Sequence, residues 1–132
     1  MAHKPEFLLI EDNLIDQIVI KQLLKKVFNI TELSITNNGK EGIIWLTNNK
    51  KKHHSLIILL DIQMPIMNGF EFLNEFHKQS EDFKKEIKIY VLSSTLDTNE
   101  IEEIKNSKYI TDFLSKPLSI EEFKTKIYST PY

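Results

Sequence analysis

Unbroken aliphatic runs alternate along this chain with stretches of three- and four-residue apolar spacing. The runs at 6–10, 56–60 and 87–92 are short, rich in Ile, Leu, Val, Tyr and Phe, and almost free of polar residues, the pattern of strands covered on both faces. Leu33 to Thr36 and Ile110 to Leu114 are weaker runs of the same kind. Residues 14–28 place Ile15, Val19, Ile20, Leu23, Leu24 and Val27 at helical spacing, with Asp12 or Asn13 as N-cap. Residues 39–49, with Ile43, Trp45 and Leu46, and residues 68–78, with Phe72, Leu73 and Phe76, predict two more helices, the second opening at Asn68-Gly69. Thr98 or Asn99 opens a fourth helix carrying Ile101 and Ile104. Ser119 to Glu122 has the spacing of a capping box ahead of Phe123 and Ile127. The polar stretch from Gln79 to Lys85 reads as a loop.

Strand and helix therefore alternate five times. That order predicts an α/β domain: a five-stranded parallel sheet, joined by right-handed crossovers, with helices on both faces. With 132 residues the chain has the size of one domain and no room for a second folded one, so the expectation is a single domain over residues 1–132.

Composition narrows the class. Charged residues are 27% and hydrophobic ones 41% of the chain, as in an ordinary globular protein. A net charge of −2 offers no general attraction to nucleic acid or anionic lipid. The one basic run, Lys50-Lys51-Lys52-His53-His54, lacks interleaved aromatics and reads as a solvated loop rather than a docking patch. Cysteine is absent, which excludes disulfides and thiolate metal sites and is compatible with a reducing cytoplasm. No apolar run is long enough for a membrane span or a signal peptide, so the expected location is cytoplasmic. Trp45, Phe72 and Phe76 read as core. His3, His53, His54 and His77 read as surface residues rather than metal ligands or a phosphohistidine site.

The chemistry lies at the ends of the aliphatic runs. Glu11-Asp12 follows the first, Asp61 the third, Ser93-Ser94 the fourth and Lys116-Pro117 the fifth. The carboxyl ends of neighbouring parallel strands border one crevice, so these groups converge there. An adjacent acid pair alone could be no more than a loop and helix cap, and Lys-Pro alone could simply end a strand. Asp61 directly after five aliphatics is more telling, because a partly desolvated carboxylate needs a partner. Three carboxylates suit a hard cation such as Mg²⁺, which takes oxygen ligands and keeps waters for a phosphate. The ammonium of Lys116 suits the carboxylates at rest and a phosphoryl oxygen afterwards. Ser93 or Ser94 adds a hydroxyl donor. X-Pro bonds adopt cis far more readily than others, and a cis bond at Pro117 would turn the chain sharply and aim Lys116 inward.

Four segments in this order resemble the receiver domains of two-component response regulators: Leu9-Ile10-Glu11-Asp12-Asn13, Leu59-Leu60-Asp61-Ile62-Gln63-Met64-Pro65-Ile66-Met67-Asn68-Gly69, Val91-Leu92-Ser93-Ser94 and Phe113-Leu114-Ser115-Lys116-Pro117. The Asp-x-x-Met-Pro-x-Met-x-Gly segment is the most specific. The resemblance covers nearly the whole chain and implies the flavodoxin-like (βα)5 doubly wound fold. It implies Asp61 as phosphoacceptor, Asp12 and Asp61 as direct Mg²⁺ ligands with the Gln63 backbone carbonyl, and Glu11 as the acid that holds metal-bound water. It assigns Ser93 as the switch hydroxyl, Phe113 as the switch aromatic and Lys116 as the phosphate-binding lysine. Ser94 then takes the small-residue position beside Ser93, and Gln63 and Thr95 flank the site where access of water is tuned.

The implied function is a phosphoacceptor signalling switch rather than an enzyme acting on other molecules. A histidine kinase or phosphotransfer protein donates the phosphoryl group, the chain assists its own phosphorylation and dephosphorylation, and the signal leaves by protein contact or onward phosphotransfer. The contact face implied is that of the fourth and fifth predicted helices and the fifth strand, drawing on Ile101, Tyr109, Ile110 and Phe123. No output domain, direct nucleic acid contact or membrane contact is expected. One departure stands out: Asn106 to Ile110 lacks the Gly-Ala turn common before the fifth strand. Two other classes fit the sequence less well. A phosphatase of the haloacid dehalogenase type would carry Asp-x-Asp, and Gln63 removes its general acid. A pseudo-receiver that binds partners without phosphorylation would have lost the acids, acceptor or lysine, all of which are present.

Overall fold

A computed structural model describes residues 6–49, 55–94 and 97–128. The basic run at 50–54, Thr95, His3, His53 and His54 lie outside these residues. Among the described residues the order is β1 (Glu6–Ile10), α1 (Leu14–Phe28), β2 (Ser34–Thr36), α2 (Gly39–Asn48), β3 (Leu56–Asp61), α3 (Gly69–His77), α4 (Glu81–Lys84), β4 (Ile87–Ser93), α5 (Thr98–Asn106), β5 (Ile110–Ser115) and α6 (Ile120–Tyr128). The five strands form one parallel sheet in the order β2-β1-β3-β4-β5. This is the doubly wound, flavodoxin-like arrangement. The chain winds outward from β1 to β2 in one direction and from β3 to β5 in the other, which opens a crevice at the carboxyl ends of β1 and β3.

Alternation along each strand sorts side chains to two faces. Phe7, Leu9, Ile57, Leu59, Tyr90, Leu92 and Leu114 pack with Ile20, Leu23 and Leu24 of α1 and Phe123 and Ile127 of α6. Leu8, Ile10, Leu56, Ile58, Leu60, Ile87 and Ile89 pack with Leu46 of α2 and Phe72, Leu73 and Phe76 of α3. Every residue of β3 is buried, consistent with its central place. Among the described residues no helix is long and apolar enough to cross a membrane.

Several local expectations shift. The stretch 79–85 is not all loop: Ser80 caps the short helix α4, its hydroxyl accepting from Phe83 N at 3.2 Å, and Lys84 Nζ donates to His77 O and Tyr109 Oη at 2.9 Å each. One turn of helix is too short to show a period. Asp97, rather than Thr98 or Asn99, caps α5, accepting from Asn99 N and Glu100 N. Ser119 accepts from Glu122 N at 3.0 Å, but the Glu122 carboxylate accepts from Ser115 N at 2.7 Å instead of closing the capping box. Asn68 and Glu71 do form a complete box at the start of α3. On α1, Ile15 and Val19 face outward with Leu14 and Ile18, so that helix is apolar on its solvent side too. Trp45 is only partly buried. Phe123 is fully buried against the sheet and cannot belong to a contact face, whereas Ile101, Tyr109 and Ile110 are partly exposed. Where the Gly-Ala turn is missing, β5 enters with a register shift: Ile89 pairs with Ile110 but Tyr90 with Asp112.

Candidate functional site: an acidic pocket closed by a lysine

Four strand ends build the pocket. Ile10 stands beside Leu60, so Glu11 leaves β1 next to Asp61 at the end of β3; Asp61 pairs in register with Leu92, and Ser93 with Ser115. The backbone of Glu11 is fixed on two sides, its N–H donating to Thr36 O at 3.0 Å and its carbonyl accepting from Gln17 Nε2 at 2.6 Å. Lys116 N–H donates to Ser93 O at 2.8 Å, which ties the end of β5 to that of β4. The Lys116–Pro117 bond is cis.

Carboxylate oxygens of Glu11, Asp12 and Asp61 lie within 4.8 Å of one another. Glu11 is 0% and Asp61 7% exposed, while Asp12 faces solvent. Lys116 Nζ donates to Glu11 Oε1 at 2.6 Å, Asp16 Oδ2 at 3.0 Å and Asp61 Oδ1 at 3.3 Å. Glu11 Oε2 accepts from Asn13 N at 3.2 Å. Burial pushes the Glu11 carboxyl up to about 7; the hydrogen bond from Lys116 draws it back part of the way, and the charge of Asp61 adds to the rise. Burial alone would lower the Lys116 ammonium, but its bonds to Glu11 and Asp16 and the charges of Asp61 and Glu11 outweigh that and leave it raised. Three oxygen-only donors, two of them desolvated, form a set that fits a hard divalent cation.

The pocket is an open cavity of about 700 Å³, also lined by Gln63, Ser93 and Ser94. Ser93 is buried and Ser94 exposed. The loop from Ile62 to Asn68 turns tightly below it: Gly69 N–H donates to Ile62 O at 2.9 Å and Ile66 takes a positive φ of 69°. Gly69 permits this turn, because a Cβ there would lie 2.7 Å from the Asp61 carbonyl oxygen. Phe113 sits at the far side of β4, packed with Ile62, Val91 and Ile104 and half-buried. Its ring lies 4.5 Å from Lys126 Nζ and 5.9 Å from Lys105 Nζ.

Every strand-end group singled out in the sequence, Glu11, Asp12, Asp61, Gln63, Ser93, Ser94 and Lys116, lines this one cavity; Phe113 does not. Sequence reasoning missed Asp16, whose only signal is its place in the first turn of α1, three residues after the N-cap Asn13. It also missed Glu100 of α5, which lines the cavity with a buried Oε1 that has no hydrogen-bond partner among the described residues.

Comparison with known proteins bears on the family and the fold. The chain is 34% identical over 120 residues to the sensor histidine kinase CheAY of Helicobacter pylori, an alignment covering 91% of this chain and 14% of that protein. The crystal structure of a response regulator receiver protein from Dyadobacter fermentans superposes with a TM-score of 0.80 at 28% identity, covering 94% of this chain and 98% of that one. The receiver domain of a sensor histidine kinase from Pseudomonas aeruginosa, solved with a magnesium ion coordinated in its active site cleft, has the same fold, with a TM-score of 0.75 at 21% identity over 96% and 97% of the two chains. The sequence model of the response regulator receiver domain family matches residues 7–128. That span runs from the second residue of β1 to the end of α6, so it takes in every element of the sheet and its helices, and the chain belongs to the response regulator receiver domain family.

Proposed function

We propose that this receiver domain accepts a phosphoryl group on Asp61 from a phosphohistidine of a histidine kinase or phosphotransfer protein. An Asp61 oxygen forms a bond to phosphorus while the bond from phosphorus to the imidazole nitrogen breaks, and the imidazole leaves with a proton from solvent. The single observation that carries this reading is the convergence of Glu11, Asp12, Asp61 and Lys116 at one rim.

Such transfer is mostly positioning and charge stabilisation. Glu11, Asp12 and Asp61, with the backbone carbonyl of Gln63, would hold Mg²⁺, which when bound neutralises charge on the phosphoryl oxygens. Lys116, which reaches Asp61 Oδ1 at 3.3 Å, stands close enough to donate to a phosphoryl oxygen once one of its carboxylate partners is released. Ser93, already at the rim, donates its hydroxyl to the same group. Water arriving past Gln63 later cleaves the acyl phosphate, so the domain assists its own reset.

Phe113 is then the aromatic that follows Ser93, and the output face is that of α5, β5 and α6, with Ile101, Tyr109 and Ile110 accessible and Phe123 excluded by burial. The signal leaves this domain by contact with another protein there or by onward phosphotransfer.

The test is intact mass after incubation with Mg²⁺ and acetyl phosphate, for the natural sequence and Asp61→Asn. A Mg²⁺-dependent, alkali-labile adduct that the Asn variant lacks is expected. Equal adducts in both, or none with several donors, would overturn the assignment, the latter in favour of a binding module that works without phosphorylation.

A further inference from the structure

Lys116 has three N–H donors and spends them on three carboxylates, those of Glu11, Asp16 and Asp61. A phosphoryl oxygen arriving on Asp61 therefore finds no free donor on the ammonium. One acceptor must let go, and the three are not equivalent. Glu11 is fully buried, makes the shortest contact and has its second oxygen held by Asn13 N. Asp61 is, on the reading proposed above, the acceptor itself. Asp16 stands apart: it projects from the first turn of α1, its side chain is 35% exposed, and it lies outside the oxygen cluster of Glu11, Asp12 and Asp61.

That position gives Asp16 a distinct effect on each ligand. Once Glu11, Asp12 and Asp61 lend oxygens to a divalent cation, they hold the ammonium less strongly, and the cation repels it. Asp16 remains as a carboxylate that the cation does not share, so Lys116 keeps a partner and the pocket keeps one further negative charge. Both effects favour the cation. Toward a phosphoryl group both are adverse: the same charge repels its oxygens, and the same hydrogen bond occupies a donor that the phosphoryl group needs.

We infer that Asp16 is a positioning residue that holds Lys116 in reserve, strengthening Mg²⁺ binding while weakening the hold of the pocket on a phosphoryl group. The inference rests on the phosphoacceptor reading for its ligands but concerns a residue that reading does not use. It deepens that reading by making the readiness of Lys116 a property tuned from α1.

The experiment is calorimetric titration of Mg²⁺, and then of beryllofluoride at saturating Mg²⁺, into the natural sequence, Asp16→Asn and Asp16→Glu. Asp16→Asn is expected to weaken Mg²⁺ and tighten beryllofluoride, each by about three- to tenfold, the effect of one unit charge a few ångströms away in a partly wet site. Asp16→Glu restores the charge and returns both affinities toward their starting values. Asp16 also lies in a helix first turn, where its charge favours the helix; were that its whole role, both affinities would fall together, and this result overturns the inference. So does finding neither affinity changed. Failure of the natural sequence to bind Mg²⁺ or beryllofluoride overturns the phosphoacceptor reading itself, and the inference with it.

Discussion

The ammonium of Lys126 donates to the Phe113 carbonyl at 2.6 Å and stands 4.5 Å from the centroid of the same residue's ring. One side chain of α6 thus holds both the backbone and the ring at the position proposed as the aromatic switch. A cation over an aromatic face contributes about 0.5–1 kcal/mol at a partly exposed site, and the hydrogen bond about as much. Lys126→Met keeps the apolar stem and loses both contacts, together with the partly exposed ion pair of Lys126 Nζ with Asp112 Oδ1 at 3.6 Å. It is expected to lower stability by about 1 kcal/mol in urea unfolding and to broaden or shift the Phe113 ring signals in NMR spectra. Unchanged stability together with unchanged ring signals would show that the clamp has no effect.

Gly69 is a second point of sensitivity. A methyl group there meets the Asp61 carbonyl and the Ile62 backbone at 2.7 and 2.8 Å, so relief requires a shift of the strand end itself. Gly69→Ala is expected to cost about 1–3 kcal/mol and to weaken Mg²⁺ binding in the same protein. Loss of stability with full Mg²⁺ affinity would mean that the loop yields and Asp61 does not.

Glu11 makes the pocket respond to pH. Its folded pKa is about 7 against an ordinary 4.5, so between those values the folded protein holds more proton than the unfolded one. Stability without metal therefore falls as pH rises through that window. Mg²⁺ needs the ionised form, so saturating Mg²⁺ is expected to raise the melting temperature more at about pH 8 than at about pH 5.5. Equal increments at both would remove Glu11 from the metal site.

Ser93 separates the two ligands. Its hydroxyl is proposed to donate to the phosphoryl group and lies outside the carboxylate cluster. Ser93→Ala is expected to leave Mg²⁺ affinity within about twofold and to weaken beryllofluoride about tenfold, the loss of one hydrogen bond to a charged group. Parallel loss of both ligands would point to a displaced β4 end instead.

The sheet and its chemical rim were legible because both rest on contiguous sequence. Leu56 to Leu60 admits few readings other than a buried strand, and the residue that follows such a strand must lie at its end, which locates Asp61 without any knowledge of packing. Features made by residues far apart were not legible. Asp16 looks like any acid in a helix first turn, and only the folded chain brings Lys116 to it across 100 positions. Phe123 and Ile101 have the same apolar signature in sequence, yet α6 turns Phe123 into the core and α5 leaves Ile101 partly exposed. Helical spacing shows that a stripe exists, but the angle at which a helix docks decides which part is covered. Ile15 and Val19 on α1 belong to the same class of error.

The contrast between β3 and β5 bears on how the molecule comes apart. All six residues of β3 are buried, with β1 and β4 hydrogen-bonded on either side, whereas β5 is an edge strand in which only Leu114 is fully buried. Amide protons of β3 should therefore exchange with solvent only when the whole domain opens, while those of β5 are released by local excursions. The residue proposed to receive the phosphoryl group is anchored in the last segment to melt, and the segment proposed to report it belongs to the first. Rearrangement of the reporting edge can thus proceed many times over without loosening the seat of the chemistry.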